Sequence, residues 1–286
     1  MDLPCKQKLN SQQIIFLNGT TTAGKSSIVQ HLEKLLKAQS LSVEILSIDT
    51  FVIPKVQWLL FKNRISPANI FVANEDLLQY SDMKRIKKES MKELCAAAVI
   101  AYKQNNIVII DAPIYESKQV NFYNKAFENL GISNISKVLV YCPITTLVKR
   151  VIERNQKSSM IEQRSIAQAL DQFRYFYQSH RYNPIDQLSR EEFDAMWQEA
   201  ETQHIATQET IPGFLKGIQN AICPYSFGVI KSLMLDGLFF NADGIASIKP
   251  IIAHDFIVNT GQYDSAVCAQ MIFRRFAKKL TVDDCF

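Results

Sequence analysis

Gly19-Thr20-Thr21-Thr22-Ala23-Gly24-Lys25-Ser26 satisfies the pattern G-x-x-x-x-G-K-[ST] at every specified position, with Ser27 directly after it. The residue types explain what such a segment does. Glycines let successive backbone N–H groups turn inward around phosphate oxygens, and a helix start adds partial positive charge. Lys25 would then reach the β- and γ-phosphates, and the Ser26 hydroxyl would ligate Mg²⁺. The flanks fit as well. The apolar run Ile14-Ile15-Phe16-Leu17 precedes the loop, and an amphipathic stretch from Ser26 to about Lys37 follows it. In that stretch Ile28, Val29, Leu32, Leu35 and Leu36 fall on one helical face. Strand, glycine loop and helix together imply a site for a nucleoside triphosphate.

Two carboxylates close other apolar runs. Ligands of open α/β sheets bind beyond the carboxyl ends of the strands, so acids at those ends come first. Asp49 closes Val43-Glu44-Ile45-Leu46-Ser47-Ile48. If that strand lies near the loop strand, its carboxylate can take the proton of a hydroxyl attacking the γ-phosphate. Asp49-Thr50 also suits a turn or a helix cap. Asp111 closes Asn106-Ile107-Val108-Ile109-Ile110, the usual form of the second acidic element of a Mg²⁺–nucleotide site. Before Ala112-Pro113 it also suits a turn.

Arg150 and Arg154 stand four residues apart on the helix expected after the fourth strand, and so share a face. There they can close over the nucleotide and neutralise charge on the transferring phosphoryl group. With Lys149 and Glu153 they also make an ordinary solvated edge. Arg164 is a weaker candidate of the same kind. After Asp49 come Phe51-Val52-Ile53-Pro54 and then Trp58, Leu59, Leu60 and Phe61, which can line an acceptor pocket or simply fill the core.

These residues need a scaffold, and the hydrophobic pattern supplies one. Ile14–Leu17, Val43–Ile48, Ile107–Ile110, Val138–Tyr141 and Phe256–Val258 read as strands, three of them near-continuous in Val, Ile and Leu, as buried parallel strands are. Helical stretches separate them, notably Met83 to about Lys103 and the segment after Cys142-Pro143, with Pro143 in its first turn. Alternation of this kind predicts a parallel α/β sheet. From about Glu162 to Cys223 the pattern is mainly helical. Breaks are expected at Asn183-Pro184 and Pro212-Gly213, and a capping box at Ser189-Arg190-Glu191-Glu192 opens a helix through about Gln203. Asn241-Ala242-Asp243-Gly244 reads as a hairpin turn. The last strand comes late, and Asp264–Lys279 supplies the closing helix. The expected organisation is a core of residues 1–180 and 251–286, with a mainly helical insertion over 181–250.

The chain has 286 residues and a formal charge of +4, which does not call for nucleic acid beyond the nucleotide itself. Its first residues are polar and read as no secretory signal, and no apolar run reaches the span of a bilayer. Six cysteines without a C-x-x-C pair suit reduced thiols in the cytoplasm. The cluster Lys84, Arg85, Lys87, Lys88 beside Glu89 and Glu93 reads as a solvated helix face.

With these positions assembled, the chain resembles the chloramphenicol phosphotransferase-like proteins among the P-loop kinases. The residues that carry the resemblance are Ile15-Phe16-Leu17-Asn18-Gly19 with Ala23-Gly24-Lys25-Ser26-Ser27, Ser47-Ile48-Asp49, Ile109-Ile110-Asp111, and Arg150 with Arg154. Asp255-Phe256-Ile257-Val258-Asn259-Thr260 followed by Ala266-Val267-Cys268-Ala269 completes the set. The resemblance spans roughly 12–155 and 254–280. It implies a P-loop NTPase-type α/β fold with a five-stranded parallel sheet, ATP with Mg²⁺, and γ-phosphoryl transfer to a hydroxyl of a small molecule. It further implies Asp49 as base, Asp111 as strand-end acid, Arg150 and Arg154 as lid arginines, and Asn259-Thr260 at the nucleotide. Three departures stand out. Ala112-Pro113 follows Asp111 where the family often has a second acid, Asn259 replaces a common Asp, and the stretch from Arg154 to the last strand is much longer.

A nucleoside or sugar kinase is a second reading, supported by Ser47-Ile48-Asp49-Thr50-Phe51. A third is a nucleotide-dependent switch whose insertion binds a protein partner or a second copy of the chain. A switch needs no acceptor base, which favours the enzyme.

Overall fold

The computed structural model describes residues 12–62, 80–114, 117–157, 165–177, 187–211, 216–217, 219–220, 223, 225–237, 239–240, 245–247 and 253–282. Arg164, Asn183-Pro184, Pro212-Gly213 and the Asn241–Gly244 turn lie outside them. The first half of the chain runs β1 (Gln13–Asn18), α1 (Lys25–Ala38), β2 (Val43–Ser47), α2 (Ile48–Lys62), α3 (Tyr80–Gln104), β3 (Ile107–Asp111), α4 (Ser117–Glu128), β4 (Ile135–Tyr141) and α5 (Ile144–Lys157). It continues with α6 (Ile166–Tyr177), β5 (Gln187–Ser189), α7 (Arg190–Thr210), α8 (Phe227–Gly237), β6 (Phe239–Phe240), β7 (Ile245–Ser247), β8 (Phe256–Asn259) and α9 (Ser265–Val282).

Five strands form one parallel sheet in the order β2-β3-β1-β4-β8. β1 and β3 are buried at every residue, which explains the apolar runs Ile14–Leu17 and Ile107–Ile110 within them. Successive side chains alternate between two cores. Ile15, Leu17, Ile107 and Ile109 join the core that contains residues of α1, α5, α6 and α9. Ile14, Phe16, Val108 and Ile110 join the one that contains residues of α3 and α4. α5 shows the packing rule plainly. Ile144, Leu147, Val148, Val151 and Ile152 recur at three- and four-residue steps and all are buried. Each such side chain contributes about 1.5–3 kcal/mol by leaving water.

The second strand corrects the sequence reading. It ends at Ser47, and Ile48 already begins α2, so Asp49 sits in a first helical turn and not at a strand end. Ser47 explains the switch: its hydroxyl accepts from the Asp49 N–H at 3.4 Å, as a residue preceding a helix does. Phe51 packs against the core that includes α3 residues, while Val52, Val56 and Leu59 pack on Met83 and Ile86 of α3. Phe51, Val52 and Leu59 are half-buried against these clusters, whereas Ile53 and Trp58 are exposed.

Between β4 and β8 the chain adds further elements. β5, β7 and β6 form a small antiparallel sheet, whose β6–β7 pair flanks the expected hairpin turn. α7 opens on the capping box read from sequence: Ser189 Oγ accepts from Glu192 N at 3.1 Å, and Glu192 Oε2 accepts from Ser189 N at 2.8 Å. It runs on past Gln203 to Thr210, with His204 stacked on Phe227 at 4.8 Å between ring centroids. Phe193, Met196, Trp197, Phe227 and Ile230 share one apolar core with α5 and α6. No described helix is long and apolar enough to cross a membrane.

Candidate active site

β1 lies at the middle of the sheet, with β3 and β2 on one side and β4 and β8 on the other, the position at which such sheets hold ligands. The loop after β1 is shaped by backbone conformations that its sequence permits. Gly24 (φ 95°) is the N-cap of α1 and contributes no side chain to its first turn, which also lacks acidic residues. The first N–H groups of α1, at Lys25, Ser26 and Ser27, therefore suit an anion. Thr22 takes a left-handed conformation (φ 57°), which costs a non-glycine residue on the order of 1 kcal/mol.

Gly19 (φ 144°) is required for a different reason. A Cβ there would stand 2.4 Å from the Val140 carbonyl oxygen, in a strand that cannot retreat. Gly19→Ala is expected to lower stability by roughly 1–3 kcal/mol, read as an earlier midpoint in denaturant unfolding.

Asn18, the last residue of β1, fastens the loop's first residue to the segment after β3. Its Oδ1 accepts from Gly19 N at 2.9 Å and from Ile114 N at 2.7 Å. Its Nδ2 donates to Ile114 O at 3.2 Å and lies 3.0 Å from His254 Nε2. Sequence reading assigned Asn18 no role, although a buried Asn ending an apolar run is a signal of one.

Lys25 Nζ donates to the Gly19 and Thr20 carbonyls, both at 2.9 Å, and stands 4.0 Å from Asp111 Oδ1. Burial pushes its pKa below the ordinary lysine value, against the opposing pull of Asp111 and, more weakly, Asp49. Ser26 Oγ donates to Asp111 Oδ2 at 3.2 Å. The strand register explains this grouping. Leu17, Asp111 and Ser47 lie in one row across β1, β3 and β2, with the loop and Asp49 each starting two residues beyond it. Asp49 is exposed. It follows a strand that lies two positions from β1 in the sheet, about 10 Å at the usual strand spacing.

The other predicted residues divide. Arg150 of α5 reaches the loop: its Nη1 donates to Thr260 Oγ1 at 2.9 Å and lies 3.5 Å from Ala23 O, and its Nη2 donates to Thr260 O at 2.6 Å. Thr260 is buried and braces the same place. Its hydroxyl lies 2.8 Å from Ala23 O and 3.1 Å from Tyr141 O, and its N–H donates to Tyr141 O at 2.9 Å. Asn259 Oδ1 accepts from Gly261 N at 2.8 Å, closing the turn after β8. Arg154, one helical turn beyond Arg150, is exposed. Ala23 is buried in the main core, Thr20 is buried, and Thr21 and Thr22 are half-buried. Thr21 N donates to Gln172 Oε1 of α6 at 2.8 Å. No sequence signal pointed to Gln172, because the contact joins residues 151 positions apart.

Residues 12–183 match the family described as chloramphenicol phosphotransferase-like protein. The chain belongs to the chloramphenicol phosphotransferase-like family. The matched stretch contains β1 to α6, and so the loop, Asp49, Asp111, Arg150, Arg154 and Gln172. Family and fold are those of a P-loop phosphotransferase. No curated protein matches the chain. Among solved structures, similarity is remote. A putative kinase from Chloroflexus aurantiacus J-10-fl is 10% identical, with a TM-score of 0.45 over 94% of this chain and 97% of that one. Mycobacterium tuberculosis APS kinase CysC in complex with AMPPNP and APS is 11% identical, with a TM-score of 0.44 over 93% and 98%. Shikimate kinase from Bacteroides thetaiotaomicron is 12% identical, with a TM-score of 0.39 over 93% and 98%.

Proposed function

We propose that this protein transfers the γ-phosphoryl group of ATP to a hydroxyl of a small molecule, with Asp49 as general base. One observation carries the reading: Lys25 and Ser26 of the phosphate loop meet the Asp111 carboxylate, at 4.0 and 3.2 Å, at the same end of the sheet where Asp49 stands in the first turn of α2. Asp111 sits against the loop with Ser26, and Asp49 stands farther out.

The donor set fits a Mg²⁺–nucleotide. The Ser26 hydroxyl and the Asp111 carboxylate are close enough to bind one ion, and Mg²⁺ typically takes one or two carboxylates together with substrate phosphates. When bound there, Mg²⁺ would neutralise charge on the phosphates. The N–H groups from Thr22 to Ser27 and the Lys25 ammonium hold the phosphate oxygens, so Lys25 gives up its Gly19 and Thr20 carbonyl partners for them. An acceptor alcohol lies between Asp49 and the γ-phosphorus. Its oxygen forms the new P–O bond while its proton passes to Asp49, and the bond from the γ-phosphorus to the bridging oxygen breaks, leaving ADP with the electron pair. Arg150 places a fixed positive charge beside the loop, and Arg154 supplies a second one turn further out.

The test is a panel of small hydroxyl compounds, nucleosides and sugars among them, incubated with γ-labelled ATP. Label is expected in at least one acceptor in a Mg²⁺-dependent manner. Label released only as inorganic phosphate, whatever the acceptor, would favour the nucleotide-dependent switch.

A further inference from the structure

We propose that Gln172 is a positioning residue for the phosphate loop, its side-chain carbonyl holding the Thr21 N–H and with it the tip of the loop. The proposal rests on the nucleotide-site reading above. Thr21 immediately precedes Thr22, the loop's left-handed threonine, so the tether acts one residue before the link under most backbone strain. A loop strained at that point keeps its shape only if its surroundings hold it. Thr260 and Arg150 meet the Ala23 carbonyl on the far side of Thr22, and the Gln172 carbonyl, accepting at 2.8 Å, holds the Thr21 side.

The helix that carries Gln172 is itself fixed. Ala169, Leu170 and Phe173 are buried in the main core. On another face Asp171 accepts from Arg174 Nε at 3.2 Å and Nη2 at 2.8 Å, with both residues buried. The Arg174 guanidinium lies 5.8 Å from the centre of the Tyr225 ring. α6 thus joins the region before β8 to the loop, and Gln172 is its contact on the loop side. Without that oxygen the Thr21 amide turns to water and the loop samples other shapes. A nucleotide must then select the competent one, which weakens its apparent affinity in proportion.

Mg–ATP is titrated calorimetrically into the parent, Gln172→Met, Gln172→Glu and Lys25→Ala proteins, with nucleotide-free melting and amide exchange at Thr21 read in parallel. Gln172→Met keeps the side chain's length but removes the acceptor. It is expected to bind about 5-fold more weakly, the usual worth of one hydrogen bond, and to expose the Thr21 amide to exchange at an unchanged melting midpoint. Gln172→Glu retains an acceptor of the same reach and should keep Thr21 protected. Parent affinity in Gln172→Met overturns the proposal. So does a Thr21 amide in the parent that exchanges as fast as water-exposed loop amides, a result that needs no substitution. If Gln172→Met alone binds like the parent, only this proposal fails. If Lys25→Ala also does, the nucleotide-site reading fails with it.

Discussion

Asp49→Asn is expected to lower the rate of phosphoryl transfer by about 10²–10⁴-fold, the usual contribution of a general base, while leaving Mg–ATP binding close to the parent. The substitution keeps shape and polarity and removes only the capacity to take a proton. Asp49 is exposed in the first turn of α2, and its N–H is held by Ser47, so Asn can occupy the same place without repacking. The two readouts separate its possible roles. A carboxylate that merely started the helix would affect melting and leave turnover alone. Transfer by the Asn variant at the parent rate would remove Asp49 from the chemistry.

Lys25→Ala is expected to abolish both turnover and the stabilisation that Mg–ATP confers. At a nucleotide concentration 100-fold above the dissociation constant, that stabilisation is about 2.7 kcal/mol, visible as an upward melting shift in the parent. An unchanged shift in the variant would count against the phosphate-loop assignment. The same residue sets a pH dependence. Burial lowers the pKa of Lys25 in the free protein, whereas bound phosphates favour its charged form and raise it. Binding therefore takes up a proton at alkaline pH. Affinity should fall as pH rises above the free-state value, by up to about tenfold per pH unit. That fall begins below the ordinary lysine value of 10.5, and a flat profile up to that pH would show that Lys25 is not buried in the free protein.

Periodicity made much of the fold readable. β1 and β3 are covered on both faces, and the runs Ile14–Leu17 and Ile107–Ile110 are accordingly apolar throughout, as is Val138–Tyr141 at the buried end of β4. The capping box of α7 is local chemistry, complete within four residues. α2 was hidden for two physical reasons. Ile48 continues the apolar run of β2 although the backbone turns helical there, and Pro54 stands inside the helix as an apparent breaker. The strand order had a similar consequence. Sequence left open whether β2 adjoins β1, whereas β3 lies between them. Arg150 was legible as a basic residue on the correct helix, but its attachment to Thr260 was not, because that partner lies 110 positions away. Gln172 and Asn18 act through the backbone of distant segments, and such contacts leave no periodic trace.

Thr260 ties the nucleotide cradle to the order in which the chain is made. The hydroxyl that lies against the Ala23 carbonyl belongs to a residue 237 positions later. A growing polypeptide therefore displays the whole glycine motif long before it holds the brace that steadies it. Closing so long a loop carries an entropic cost, and the Thr260 brace can form only once β8 lies beside β4.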